Sequence, residues 1–430
     1  MALTTRQCTL LGLLGLALSV GFIVPLLSGA HVVPSLVMNN DQTDLNVLSL
    51  REIMIMTKNH DPVVKTRSPI PVRDTWIPPE TFSACLLNFD ENYRLSEWLA
   101  YHYQVLSLRY VVVAVDSAAK TSPWAIFERW KDRMTFVVWN DSDFINDPSQ
   151  VQRNPKDDFE EAKWKFVERQ TQFYLACSKH LKAQNQSWTA YTDVDEYIVI
   201  NRDVASNKSQ VDFLMEQPGS IVSMLNEYKR FPKNKAHEIT HGIVEKGPEI
   251  WYNHLSKACI SIPRALYSAV ESDNSQIIQH VPSIFKVDQI RRLETLRWRH
   301  RATKRGTRRG LGKSIIDLSR VDESSDYKEG GGPHRPIQRI CPFAYGEYNY
   351  IPLGIHHYLG SWEIFSYKDD VRNSFKRSKD WWMKKATRNV SGGPDDEARP
   401  WLNGFVKLVG EDAALYLLEG AGLPESSEDN

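Results

Sequence analysis

The pattern of apolar and polar positions divides the chain into three unlike stretches. Cys8 to Leu27 is an almost unbroken apolar run, and no Lys, Arg, Asp or Glu occurs between Arg6 and Asp41. A helix rises about 1.5 Å per residue, so about twenty residues cross a bilayer core of about 30 Å. The run therefore reads as a signal anchor over residues 8–30, with 1–7 as a cytoplasmic tail and the body translocated. A cleavable signal peptide is the competing reading, because Ser28-Gly29-Ala30 supplies the small residues a signal peptidase needs. Residues 31–80 show no sustained period and carry Pro62, Pro69, Pro71, Pro78 and Pro79, which makes them a stem.

From Phe82 the pattern changes to regular alternation. Ser83 to Phe89 predicts a short strand, and Leu95, Trp98, Leu99, His102, Val105 and Leu106 lay one apolar stripe along a helix. Tyr110 to Val115 is a β-branched run ending at Asp116, as a parallel strand buried on both faces requires. A helix around Trp124–Trp130, a strand Thr135–Trp139 and a longer helix over about Phe159–Lys182 follow. Trp188 to Thr192 is the next strand, leading into Asp193-Val-Asp195-Glu196 and then Tyr197–Ile200. Repeated strand and helix predict an α/β fold, a doubly wound sheet with ligands at the carboxyl ends of its strands.

The third stretch is looser. Ile221–Leu225 and Ala258–Ile262 read as short strands. Arg297 to Lys313 is a basic run without an acid, broken by Gly306, Gly310 and Gly312, and acids follow from Asp322 to Glu329. Residues 301–336 therefore read as a flexible basic/acidic insertion in a domain spanning 81–425.

Composition narrows the function. The 430 residues carry 53 Lys+Arg against 53 Asp+Glu and are 42% hydrophobic, which excludes a disordered chain and argues against nucleic acid as a partner. The basic run alone is a solvated loop more readily than a polyanion arm. Sequons at Asn140, Asn185, Asn207 and Asn389 fit a lumenal body. Of five cysteines, Cys8 lies in the apolar run; Cys85, Cys177, Cys259 and Cys341 remain, either as free thiols or as two disulfides whose pairing stays open.

The candidate chemistry centres on Asp193-Val-Asp195. In an extended chain, residues two apart point the same way, so the two carboxylates converge. Hard oxygen ligands at that spacing suit Mg²⁺ or Mn²⁺ held against a phosphate. Asp141-Ser-Asp143 has the same spacing but lies in a polar loop overlapping a sequon, and reads as solvated.

Four ordered segments give a resemblance. Glu91-Asn-Tyr-Arg-Leu-Ser-Glu97-Trp98-Leu-Ala-Tyr101-His102, then Arg169-Gln-Thr-Gln-Phe-Tyr174 with Trp188-Thr-Ala-Tyr-Thr-Asp193-Val-Asp195-Glu196-Tyr197, then Lys257-Ala-Cys-Ile-Ser-Ile-Pro263, then His356-His357-Tyr358-Leu-Gly-Ser361-Trp362-Glu363 resemble the signatures of glycosyltransferase family 92. The chain departs from that pattern at Asp90-Glu91 and Asp116-Ser117.

The resemblance implies a GT-A-like nucleotide-sugar-binding domain in the Golgi, a single-pass type II membrane protein, or a secreted one if the anchor is cleaved. It implies inverting transfer of a hexose, galactose-like, from a UDP-sugar to a glycan acceptor. Asp193 and Asp195 would organise Mn²⁺ or Mg²⁺, His357 would add a metal or diphosphate contact, or else be an edge histidine, and Glu91 and Asp116 would lie at the nucleotide. Glu227 is the first choice of general base and Glu363 its rival. A non-catalytic carbohydrate-binding ectodomain is the alternative, since thirteen Trp and seventeen Tyr could stack on sugars. A glycosidase needs two carboxylates at a separation that sequence does not supply.

Overall fold

The structure, a computed structural model, describes residues 81–421 except 153, 155, 205–207, 231–252, 280, 303–311, 342–351, 368–377 and 387–393. The tail, anchor and stem, the sequons at Asn207 and Asn389, and the middle of the basic run lie outside the described residues. No described helix is long and apolar enough to cross a membrane.

Phe82–Asn88 (β1), Asn92–Val105 (α1), Leu108–Val115 (β2), Trp124–Trp130 (α2), Thr135–Trp139 (β3), Phe159–Ala183 (α3) and Trp188–Tyr191 (β4) follow the expected alternation. The four strands are parallel, in the order β3-β2-β1-β4. The chain steps outward from β1 to β3, then returns through α3 to place β4 on the other side of β1. That reversal is a topological switch point at the carboxyl ends of β1 and β4, where open α/β sheets take ligands.

The rest of the chain departs from a purely parallel sheet. Glu196–Ile200 (β5) follows β4 directly, and the segment Ser220–Arg230 is a helix (α4), not the strand that Ile221–Leu225 predicts. Its buried residues Ile221, Met224, Leu225 and Tyr228 repeat at helical spacing, a period hidden when the run is read only as far as Leu225. Cys259–Ile262 (β6) confirms the other short strand, and Arg264–Tyr267 (β7) and the short helix Glu294–Arg297 (α5) follow.

Lys313–Asp317 (β8) corrects the reading of 301–336 as a flexible insertion. It lies inside the large sheet, antiparallel to both β4 and β6, and all five residues are buried. The strand is hidden in sequence because its burial comes from neighbours far away in the chain, and Gly312 and Lys313 look like loop residues. Leu353–Tyr358 (β9) pairs with β5 and β7 to make a second, three-stranded sheet, and Trp362–Tyr367 (α6) and Trp401–Val409 (α7) follow. The architecture is therefore mixed α/β with both parallel and antiparallel strands.

Alternate residues of β2 feed two cores. Val111 and Val113 pack with Trp98, Leu99, Phe127 and Trp130 on the α1/α2 side. Tyr110, Val112 and Ala114 pack with Phe173 and Tyr174 of α3 on the other. The single stripe predicted for α1 understates its burial: every residue from Tyr93 to Val105 is inside. α7 covers its far side, with Trp401 against Tyr101 and Phe405 against Tyr103. The cysteines form two disulfides, Cys85–Cys177, which fixes α3 to β1, and Cys259–Cys341.

Candidate metal centre

The Asp193-Val-Asp195 segment is not extended as its spacing predicts. It forms a turn between β4 and β5, closed by the Glu196 amide donating to the Asp193 carbonyl at 3.1 Å and the Asp193 amide donating to Glu196 Oε2 at 3.1 Å. Val194 is buried within the turn. Three carboxylates meet as a result: Asp193, Asp195 and Glu196 each place an oxygen within 4.8 Å of the others. The donor set is hard oxygen throughout and fits Mg²⁺ or Mn²⁺.

Cations surround this cluster. Lys313 Nζ lies 2.8 Å from Asp193 Oδ2 and 3.5 Å from Glu196 Oε2, and Arg264 Nη1 lies 3.4 Å from Glu196 Oε1. The register explains Lys313: Ser314 of the antiparallel β8 pairs with Tyr191, so the next residue stands at the carboxyl end of β4. Burial alone would lower the Lys313 ammonium, yet the carboxylates of Asp193 and Glu196 hold it above its ordinary range. Burial raises Glu196, and Lys313 opposes that rise.

Asp195 is held from two sides. His357 Nε2, on β9, lies 3.2 Å from its Oδ2, and Arg94 Nη1, on α1, reaches the same oxygen at 3.4 Å. Arg94 also pairs with Glu91 at 3.2 Å, so the carboxyl ends of β1 and β4 are bridged by one guanidinium. The same side chain donates to the Tyr358 carbonyl at 3.2 Å and pairs with Glu294, which burial pushes up to about 7 against the pull of Arg94. Gly360 has φ +79, and a Cβ there would stand 2.6 Å from Arg94 Nη2, so this close approach needs glycine.

Asp116 follows β2 on the same edge. Its amide donates to the Asn88 carbonyl at 3.0 Å, its Oδ1 accepts from the Ala118 amide at 3.0 Å, and Arg169 Nη1 lies 3.6 Å from Oδ2. Arg169 Nε donates to Asp141 Oδ1 at 2.8 Å. Asp141 is therefore tied to α3 and is not the freely solvated residue its loop implies.

The two candidate bases fall at different ends. Glu363 is exposed on α6, three residues beyond Gly360, and a bond from Ser361 holds its carboxyl below the ordinary range, with Arg297 and Lys379 adding to that. Glu227 is on α4, whose neighbouring Asn226 accepts from Trp188 Nε1 at 2.9 Å and whose Lys229 pairs with Asp317 at 2.7 Å. Trp188 begins β4 and Asp317 ends the antiparallel β8, so α4 sits at the edge of the sheet opposite to Asp193.

The structure thus brings together Asp193, Asp195, Glu91 and His357, sets Asp116 on the same edge, puts Glu363 on the helix that follows β9, and leaves Glu227 apart. It adds Arg94, Glu294 and Lys313, which no spacing in the sequence singles out. No protein-family model matches the chain, and no curated protein matches it.

Proposed function

We propose that the chain is a metal-dependent, inverting glycosyltransferase of the GT-A type, similar to family 92, which transfers a hexose from a UDP-sugar to a glycan acceptor. The observation that carries this reading is the meeting of Glu91 and Asp195 on Arg94, with His357 on Asp195 and Asp193 beside it, at the point where the strand order reverses. Such a switch point is where an α/β sheet takes a nucleotide. Asp116, braced by Arg169, would accept bonds from the nucleoside.

Asp193 and Asp195 are the residues that would hold Mn²⁺ or Mg²⁺, with Glu196 behind them orienting the turn. A divalent ion there would act as a Lewis acid, neutralising charge that develops on the departing diphosphate. Glu363 supports the reading as general base because it is exposed and ionised on the helix after β9. It takes the proton of the acceptor hydroxyl as that oxygen bonds the anomeric carbon. The nucleoside diphosphate leaves from the opposite face with the electron pair of the broken C–O bond.

Two disulfides and exposed sequon asparagines at 140 and 185 support a Golgi-lumenal or secreted body, since disulfides persist in oxidising compartments. The test is a thermal-shift and transfer panel of nucleotide sugars with and without Mn²⁺. A UDP-hexose is expected to stabilise the protein in the presence of Mn²⁺ and to be turned over, and Asp195→Asn is expected to lose both. Wild-type behaviour of Asp195→Asn would sink the metal assignment. Glycan binding with no response to any nucleotide sugar would favour a carbohydrate-binding ectodomain instead.

A further inference from the structure

Lys313 is 1% exposed in its side chain, and its ammonium rests on two carboxylates of the acidic turn. The two partners differ. Glu196 is fully buried and already engaged by the Asp193 amide and by Arg264, so it is built into the wall. Asp193 is 40% exposed in its side chain and opens toward solvent, where a metal would arrive. Lys313 therefore occupies the open ligand through its shorter contact, 2.8 Å, while the longer one, 3.5 Å, joins it to the buried acid.

We infer that Lys313 is the resident counter-cation of the acidic turn and competes with a divalent ion for Asp193 Oδ2, thereby setting the metal affinity of the site. The inference rests on the metal reading of that site given above. Its physical ground is charge. Three carboxylates within 4.8 Å of one another repel, and a buried acid needs a cation to remain ionised. Lys313 meets that need before any metal arrives. The same ammonium then repels an incoming dication, and the repulsion is strong because water is excluded from its side.

The backbone cannot move the charge away, because β8 is paired on both sides, with Ile262 opposite Lys313 and Tyr191 opposite Ser314. The four-carbon stem can turn the ammonium from Asp193 toward Glu196. The turn thus carries its own cation, and a dication entering it competes with that charge.

The test measures Mn²⁺ alone, by the loss of the free-ion electron paramagnetic resonance signal on titration. Lys313→Met is expected to bind Mn²⁺ at least about tenfold more tightly than the wild type. Because Lys313→Met strands the buried Glu196, the comparison is repeated as Lys313→Met/Glu196→Gln against Glu196→Gln. That pair isolates the ammonium with no unpaired buried charge, and the same tightening is expected. Equal or weaker binding in the folded lysine variants overturns the inference and leaves the metal reading standing. Mn²⁺ bound by none of the proteins overturns both.

Discussion

Arg94 grips Glu294 with both ends of its fork, Nε to Oε2 at 2.8 Å and Nη2 to Oε1 at 2.8 Å, across 200 residues of sequence. Both side chains are buried, and the guanidinium still reaches Glu91 and Asp195. Removing one partner of such a pair leaves charge stranded in the interior. Arg94→Met is therefore expected to lose about 3–5 kcal/mol in denaturant unfolding. Adding Glu294→Gln should restore part of that loss, and no restoration would show that packing, not charge, is the cause.

Glu363 and Glu227 separate cleanly by mutation. Glu363→Gln is expected to lower kcat at least about 10²-fold while Mn²⁺ affinity holds, as loss of a general base requires. Glu227→Gln, at the opposite edge of the sheet, is expected to leave kcat unchanged. The Ser361 hydroxyl favours the ionised Glu363, so the acidic limb of the kcat profile should lie below the ordinary glutamate range. Ser361→Ala should move that limb upward; a limb that does not move would remove Glu363 from the role.

His102 gives the fold an acid sensitivity. Burial lowers it to about 3, against the bond of its Nδ1 with the Trp98 carbonyl, whereas the unfolded chain titrates near its ordinary 6.5. Between those values the unfolded state takes up a proton that the folded state refuses. The stabilising contribution is whole above pH 6.5 and is lost as pH falls toward 3. At pH 5 the loss is about 2 kcal/mol from this residue. Melting at pH 7.5 and pH 5 should show a smaller difference in His102→Phe than in the wild type, and equal differences would exclude it as a source.

Each disulfide closes a long loop, 92 residues for Cys85–Cys177 and 82 for Cys259–Cys341. By the chain-entropy account, replacing either pair with alanine should cost about 4–5 kcal/mol. Unfolding midpoints of the two double-alanine variants against the parent give the check, and a change under about 1 kcal/mol would contradict it.

Much of the alternation of strands and helices up to β4, and the acidic motif though not its turn, can be read from the sequence because their signals are local. Tyr110–Val115 is apolar on both faces and ends at Asp116; Asp193 and Asp195 stand in one short motif. Arg94 and Lys313 lack that advantage. Arg94 takes its role from Glu294, and Lys313 from the pairing of β8 with β4, contacts that exist only after folding. A basic, glycine-broken run looks solvated until acids from elsewhere meet its last lysine. The helix at Ser220–Arg230 is lost for a different reason: five apolar-rich residues fit a strand and a helix equally until Tyr228 supplies the next turn.

The acidic turn is a seam between two sheets. β4, before it, belongs to the six-stranded sheet, and β5, after it, belongs to the three-stranded one, with the Tyr358 amide bonded to the Asp195 carbonyl at 3.0 Å. Glu196, the first residue of β5, joins the two halves, since its amide donates to the Asp193 carbonyl and its Oε2 accepts from the Asp193 amide. A substitution in β9 beside Tyr358 therefore reaches Asp195 through the backbone, without touching either carboxylate. The motif is a rivet between the two sheets, and its geometry depends on both.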